Sequence, residues 1–402
     1  MKQRRVSWTP RRSLTGFLPA VLAVVLFGAA CTAGSDAPVT AIDPNPFTEM
    51  IKPRVTANFV DGAVGVSVAE PVTAQVEDGK FAQVTVLNPE GRPVQGALAA
   101  DALSWASTEP LGYNKEYRLV AESFGLGGRS TTEFRFTTSA PANLTQPYLN
   151  VSDNEVVGIG QPVGIQFDEP IGDRKAVQDA ITVVTEPQVD GAFYWISPTE
   201  LRWRPEKFWN PGTKVRVDVN VYGKDLGGGV YGAQDLHTNF TIGDAVVLTA
   251  DDNTLQVVVE RNGQVINTMP TSMGKPGTPT DNGIYIVADK HQRIIMDSST
   301  YGVPVNSPDG YKTPVDWATR ISYSGIFFHS APWSIGQQGY SNASHGCLNL
   351  SPDNAIWVFN NTKRGDITIV KNSQGGTLPG TDGLGDWNIP WDIWKVGNAQ
   401  QS

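Results

Sequence analysis

Apolar and polar residues alternate in short runs along most of this chain, the period-2 pattern of half-buried strands. Thr132-Glu133-Phe134-Arg135-Phe136 and Lys214-Val215-Arg216-Val217-Asp218-Val219 are two such runs. Turn signals such as Asn88-Pro89-Glu90-Gly91 separate them. The pattern also repeats. Val64-Gly65-Val66-Ser67-Val68-Ala69-Glu70-Pro71-Val72 aligns with Val163-Gly164-Ile165-Gln166-Phe167-Asp168-Glu169-Pro170-Ile171 at an offset of 99 residues. Leu103-Ser104-Trp105 aligns with Leu201-Arg202-Trp203, and Tyr117-Arg118-Leu119 with Val215-Arg216-Val217, both at an offset of 98. A period near 100 residues is a whole domain rather than a solenoid unit.

Short strands with frequent turns predict two tandem immunoglobulin-like β-sandwiches, over residues 51–140 and 147–243. Neither copy has the paired cysteines of antibody domains, so Trp105 and Trp203 are read as core residues. Gly223-Lys224-Asp225-Leu226-Gly227-Gly228-Gly229 is an insertion in the second copy. With one carboxylate it reads as a flexible loop rather than a calcium site.

From Thr249 the pattern changes, and a third domain is expected over residues 249–372. Leu255-Gln256-Val257-Val258-Val259-Glu260, then Asn262-Gly263 and Val265-Ile266, predict a hairpin with a tight turn. Ile284-Tyr285-Ile286-Val287 and Arg293-Ile294-Ile295-Met296 predict strands. Residues 297–318 hold several Gly, Pro and Ser residues and read as a long ordered loop, a length that often marks a lid. Ile326-Phe327-Phe328 leads a buried strand into His329. Ser351-Pro352-Asp353 is a helix start, with Ile356 and Phe359 on one face. Asp366-Ile367-Thr368-Ile369-Val370 closes the domain as a strand. The tail over residues 373–402 is Gly-rich but carries Trp387, Trp391 and Trp394, and is expected to pack on the third domain.

Charge changes the picture at the N-terminus. Residues 1–31 carry Lys2, Arg4, Arg5, Arg11 and Arg12 and no acid, and residues 14–30 are an apolar run. This is the pattern of a secretory signal. Gly28-Ala29-Ala30-Cys31 reads as a lipoprotein cleavage box in which Cys31 becomes the lipidated N-terminus, although Gly28 stands where Leu is usual. An ordinary signal peptide and an uncleaved anchor are the alternatives, and each places the body of the protein outside the cytoplasmic membrane. Residues 32–50 read as a flexible tether. Removing residues 1–31 takes the net charge from −9 to −14, which argues against nucleic-acid binding.

Export also isolates one thiol. Cys347, in Ser344-His345-Gly346-Cys347-Leu348-Asn349, is then the only free thiol expected beyond the export signal and has no disulfide partner. Such a thiol is a buried filler or a reactive group. His345 is two residues away, and His329 lies 18 residues upstream, far enough to return on a neighbouring strand. A ring that takes up a proton favours the thiolate, so Cys347 reads as a nucleophile held as an anion by one of these histidines. Spacing alone does not choose the base. Geometry leans to His329, because an i, i+2 neighbour on a strand projects parallel to the Cys, whereas a neighbouring strand faces it. The N–H groups of Gly346 and Cys347 are candidates to point at a developing oxyanion. No paired-ligand spacing supports a metal, and no cofactor is expected.

His329, fourteen intervening residues and then the Ser344–Asn349 motif resemble the signature of the L,D-transpeptidases, with their YkuD-type catalytic domain. Two immunoglobulin-like repeats before it and a Trp-rich tail after it are similar to the mycobacterial branch. The resemblance implies a mainly β protein, two sandwiches followed by a β-rich catalytic domain with a short helix after the Cys motif. It implies that Cys347 attacks the diaminopimelate carbonyl of a peptidoglycan tetrapeptide stem, releasing D-Ala through a thioester, and that the amine of a second stem completes a 3→3 cross-link. It further implies His329 as base, the Ser330 carbonyl as its orienter, and His345, Gly346 and Cys347 around the oxyanion. Tyr311 is implied as a contribution from the lid, Ser324, Gly325 and Asn349 as substrate contacts, and Met296 and Trp333 as flanks of the pocket. Acylation by carbapenems, and attachment to the membrane through the N-terminal lipid or anchor, complete the expectation. A carboxypeptidase using the same thioester and a non-catalytic wall-binding protein are the competing functions.

Overall fold

A computed structural model describes residues 50–400, so the export signal, Cys31 and all but the last residue of the tether lie outside the described residues. The described chain is mainly β. The first sandwich pairs a four-stranded sheet containing Thr73–Glu77 and Ser104–Ser107 with a five-stranded sheet containing Glu116–Gly125 and Gly128–Thr138. The second repeats the plan, with Val163–Phe167 beside Glu200–Pro205 in one sheet and Lys214–Val219 beside Leu236–Ile242 in the other.

Strand register corrects part of the repeat. Trp105 faces Ala74, and Trp203 faces Val163, so Thr73–Glu77 is the counterpart of Val163–Phe167. The matches at offset 98 are therefore structural equivalents. The match at offset 99 is not, because Ala63–Val66 lies in the opposite sheet, parallel to Gly128–Thr138. Glu155–Val157, parallel to Leu236–Ile242, fills that place in the second copy. The two segments share the word Glu-Pro and an apolar rhythm, which is too little to fix register. Both tryptophans are buried. Each lies over a glycine of the adjacent strand, Gly96 or Gly191, where an added Cβ would stand 2.0 or 2.2 Å from the indole.

The loop after Gly223 is packed rather than loose. Leu226 is fully buried, and its N–H donates to the Val230 carbonyl at 2.8 Å. The Gly223 N–H donates to the Tyr113 hydroxyl at 2.7 Å, and the Tyr222 hydroxyl donates to the Leu111 carbonyl at 2.6 Å. This loop thus helps join the two sandwiches.

The third domain has a five-stranded sheet that includes Val246–Asp251, Gln256–Arg261, Gln264–Pro270 and Ile367–Lys371. Its hairpin turns through Asn262 and Gly263, both at positive φ. The second sheet runs in the order Lys290–Asp297, Lys312–Arg320, Phe327–Ser330, Leu348–Leu350. The last third of the predicted long loop is therefore a strand: Lys312–Arg320 pairs antiparallel with Lys290–Asp297. Pro314 and the flanking Ser, Gly and Thr residues disguised it. The helix is Pro352–Asn361, capped by the Ser351 hydroxyl. Its buried residues are Ala355 and Val358, with Ile356 and Phe359 only partly covered. Small and β-branched residues let the helix lie close against the strand that carries His329.

The second sandwich and the third domain share one apolar cluster, in which Val157, Ile159 and Trp209 meet Ile286, Ala288 and Ile367. The tail packs on the catalytic domain and reaches beyond it. Its first part packs there, through Leu378 and Asn388. Its end crosses to the second sandwich. The Trp394 indole N–H donates to the Ala192 carbonyl, and the Arg204 guanidinium lies 4.2 to 5.5 Å from the rings of Trp387, Trp391 and Trp394.

Candidate active site

Phe327–Ser330 and Leu348–Leu350 are parallel neighbours, with His329 opposite Asn349. Cys347 stands two residues before Asn349, so its side chain projects to the same face as His329. The parallel pairing thus brings the thiol and the imidazole into one cleft of about 190 Å³. Met296, Tyr311, Trp333, His345 and Asn349 also line it, together with Thr313, Val315, Ala343 and Ser344.

The inner wall is buried. Cys347 is 7% exposed and His329 4%. The His329 Nδ1–H donates to the Ser330 carbonyl at 3.0 Å, which leaves Nε2 as the proton acceptor. Burial pushes the Cys347 thiol up to about 11, against a Phe327 backbone hydrogen bond and the Arg320 charge. Burial also lowers the His329 pKa, against the Ser330 carbonyl. Desolvation thus disfavours the charged form of both the thiol and the imidazole, and so works against the expected anion. The thiol donates to the Gly325 carbonyl at 3.5 Å.

Hydrogen bonds within the Cys motif shape its turn. The Gly346 N–H, expected to face an oxyanion, instead donates to the Ser344 hydroxyl at 3.1 Å. That hydroxyl in turn donates to the Cys347 carbonyl at 2.6 Å. Thr280, fully buried, donates to the Gly346 carbonyl at 2.7 Å. Gly346 has φ +125°, and a Cβ there would meet Ile326 Cδ1 at 2.9 Å, so the glycine is required by the turn itself. Asn349, expected to contact substrate, donates its amide to the Ser334 hydroxyl at 3.1 Å and is 4% exposed, which makes it wall and anchor.

The outer rim is open and polar. His345 is exposed. Its Nε2 accepts from the Lys275 ammonium at 3.2 Å, so that ring atom is already engaged. Burial and the Lys275 charge lower the His345 pKa, against Asp309. Lys275 also pairs with Asp309 at 3.2 Å, so it bridges residues 302–311 to the Cys motif. The Tyr311 ring lies 5.2 Å from that of His345, and desolvation and the nearby Cys347 raise its hydroxyl pKa. Trp333 is 60% exposed, its ring 6.1 Å from that of His329. Met296 is buried against Cys347. Ser324 does not line the cleft; its hydroxyl donates to that of Ser322 at 3.0 Å. Gly325 touches the site through its carbonyl. Among the described residues, no cluster of three His, Cys, Asp or Glu side chains could hold a metal ion.

Residues 245–370 match the L,D-transpeptidase catalytic domain, and residues 63–225 match a bacterial Ig domain in one stretch that reaches across both sandwiches. The chain is 58% identical over 381 residues to L,D-transpeptidase 2 of Mycobacterium tuberculosis (strain CDC 1551 / Oshkosh), covering 94% of this chain and 93% of that protein. The chain belongs to the L,D-transpeptidase family. L,D-transpeptidase 5 of M. tuberculosis (strain ATCC 25618 / H37Rv) is 36% identical, over 85% of this chain and 76% of its own. Among solved structures, the LD transpeptidase LdtMt1 in complex with imipenem is 39% identical, with a TM-score of 0.49 over 56% of this chain and 97% of that one. L,D-transpeptidase 3 of M. tuberculosis with a faropenem-derived adduct is 33% identical, with a TM-score of 0.47 over 56% and 97%.

Membership gives the cleft its reaction class, acyl transfer. The sequence alone did not reveal Ser344, Thr280 or Lys275 as parts of this L,D-transpeptidase site. Ser344 was visible within the motif as a hydroxyl beside the nucleophile. Thr280 and Lys275 lie 66 and 70 residues from their partners and carried no local signal.

Proposed function

We propose that this protein is an exported peptidoglycan L,D-transpeptidase that joins two stem peptides through a 3→3 diaminopimelate cross-link. The observation that carries the reading is a buried Cys347 that lines the same cleft as a buried His329, whose Nδ1–H is held by the Ser330 carbonyl. Cys347 attacks the carbonyl of the third residue of a tetrapeptide stem. Its proton passes to His329 Nε2, and the carbonyl electron pair moves to oxygen. The imidazolium then protonates the departing D-Ala amine as the carbon–nitrogen bond breaks, leaving a thioester on Cys347. Neutral His329 deprotonates the acceptor amine, which displaces the sulfur and returns the proton to it. Tyr311 and Trp333 border the entrance through which both stems reach the thiol. Carbapenems acylate the same sulfur, a reading supported by the relative solved with imipenem. Residues 1–31 direct export, and lipidation of Cys31 holds the enzyme on the outer face of the cytoplasmic membrane, beside the wall.

Intact-mass measurement tests this directly. Incubation with a tetrapeptide donor should add the mass of a tripeptide acyl group, and an amine acceptor should remove it as cross-linked product. Cys347→Ala should show no adduct and retain the fold. D-Ala release by that variant overturns the nucleophile, and turnover that ignores the acceptor identifies a carboxypeptidase.

A further inference from the structure

A carboxylate from the tail reaches the turn beside the nucleophile. One oxygen of Asp382 accepts from the Tyr323 N–H at 2.9 Å and the other from the Ser324 N–H at 2.8 Å. The next carbonyl, that of Gly325, accepts the Cys347 thiol. Gly325 has φ +101°, and a Cβ there would lie 2.7 Å from the Tyr301 ring, so only glycine brings its carbonyl to this place. Gly383 is fixed in turn: a Cβ on it would lie 2.4 Å from the Tyr323 ring, and its carbonyl accepts from the Arg202 guanidinium at 3.1 Å. The carboxylate is thus held from both sides.

We propose that Asp382 is a positioning residue for the acyl transfer. By gripping two consecutive N–H groups it sets the Gly325 carbonyl against the sulfur, keeps the resting thiol protonated and aims it at the cleft. Two charge-assisted bonds to backbone hold a turn more rigidly than solvent does. On acylation the S–H leaves the Gly325 carbonyl, the proton goes to His329 Nε2 and the sulfur bonds to the substrate carbon. The Gly325 carbonyl stays in place and accepts the thiol again after deacylation. This role rests on the transpeptidase reading for its substrate, but its effect on the thiol does not.

The test uses the full chain carrying Asp382→Asn or Asp382→Ala. Three quantities are read: melting temperature, the acylation rate by imipenem, and the pH profile of Cys347 alkylation by iodoacetamide. Asp382→Ala should slow acylation about tenfold to a hundredfold, through the maximal rate rather than half-saturation. Its alkylation profile should move to lower pH as the thiol loses its acceptor. Asp382→Asn, which keeps one oxygen for one N–H, should fall between. Asp382→Asn with native melting, wild-type acylation and an unshifted profile overturns the proposal, and does so even if the alanine variant fails to fold. A slowed acylation with an unshifted profile also overturns it, since the loss is then merely structural. If wild type is alkylated but never acylated, the function reading fails while the positioning role is still decided by the profile.

Discussion

The inner and outer halves of the cleft are built on opposite physical terms. Inside, Cys347, His329, Ser330 and Asn349 are under 10% exposed, and each is held by a hydrogen bond that leaves little freedom. Outside, His345 and Trp333 are open to solvent, and Lys275 holds residues 302–311 through a half-exposed ion pair. Such a pair contributes about 1 kcal/mol or less. The inner half keeps Cys347 and His329 out of water, and the outer half is held together only weakly. The contrast separates chemistry from capture, and each half has its own signature when broken.

The largest effect is expected at His329. His329→Ala should slow acylation by about 10²- to 10⁴-fold, the usual contribution of a general base, with half-saturation little changed. The pH profile of the wild type sharpens the point. The lowered His329 pKa keeps the base neutral below the ordinary value of 6.5, and a thiol pushed up to about 11 supplies almost no free thiolate near neutrality. Acylation should therefore stay level as pH falls from 8 to 6.5 and fail only below, as the imidazole finally takes a proton. A rate that climbs steeply between pH 7 and 9 would mean a free thiolate and break the neutral-pair account.

Gly346→Ala should come next. Strain at φ +125° and the approach to Ile326 should cost about 1–3 kcal/mol of stability by chemical denaturation, with acylation falling as the turn shifts. The smallest effect belongs to the rim. Trp333→Ala should change melting little and raise half-saturation for the donor a few-fold, with the maximal rate near wild type. If the rate collapsed instead, the division between halves would not hold.

The inner half was largely readable from the chain. A lone thiol, a histidine after Ile326-Phe327-Phe328 and a glycine beside the cysteine are local signals tied to one chemistry. What held them in place was not. Asp382 reaches Ser324 across 58 residues and Thr280 reaches Gly346 across 66, and Asp and Thr occur everywhere on a surface. The role of Gly346 itself was misread, because a hydroxyl two residues away could take its N–H. At the fold level, alternation located both sandwiches, yet the shared Glu-Pro phrase put the first match in the wrong sheet. The strand Lys312–Arg320 was hidden because loop composition outweighed a short apolar rhythm around Pro314, and only its pairing with Lys290–Asp297 and Phe327–Ser330 declares it.

Gly158 and Gly160 lie against the return loop and the last strand of the catalytic domain, where a Cβ would stand 2.2 Å from the Asp366 nitrogen and 2.1 Å from the Ile367 side chain. With the backbones this close and one oily interior between them, heat should not peel the second sandwich from the enzyme. Calorimetry should find the two melting as a single cooperative unit, with the first sandwich, which has its own interior, free to unfold at a temperature of its own.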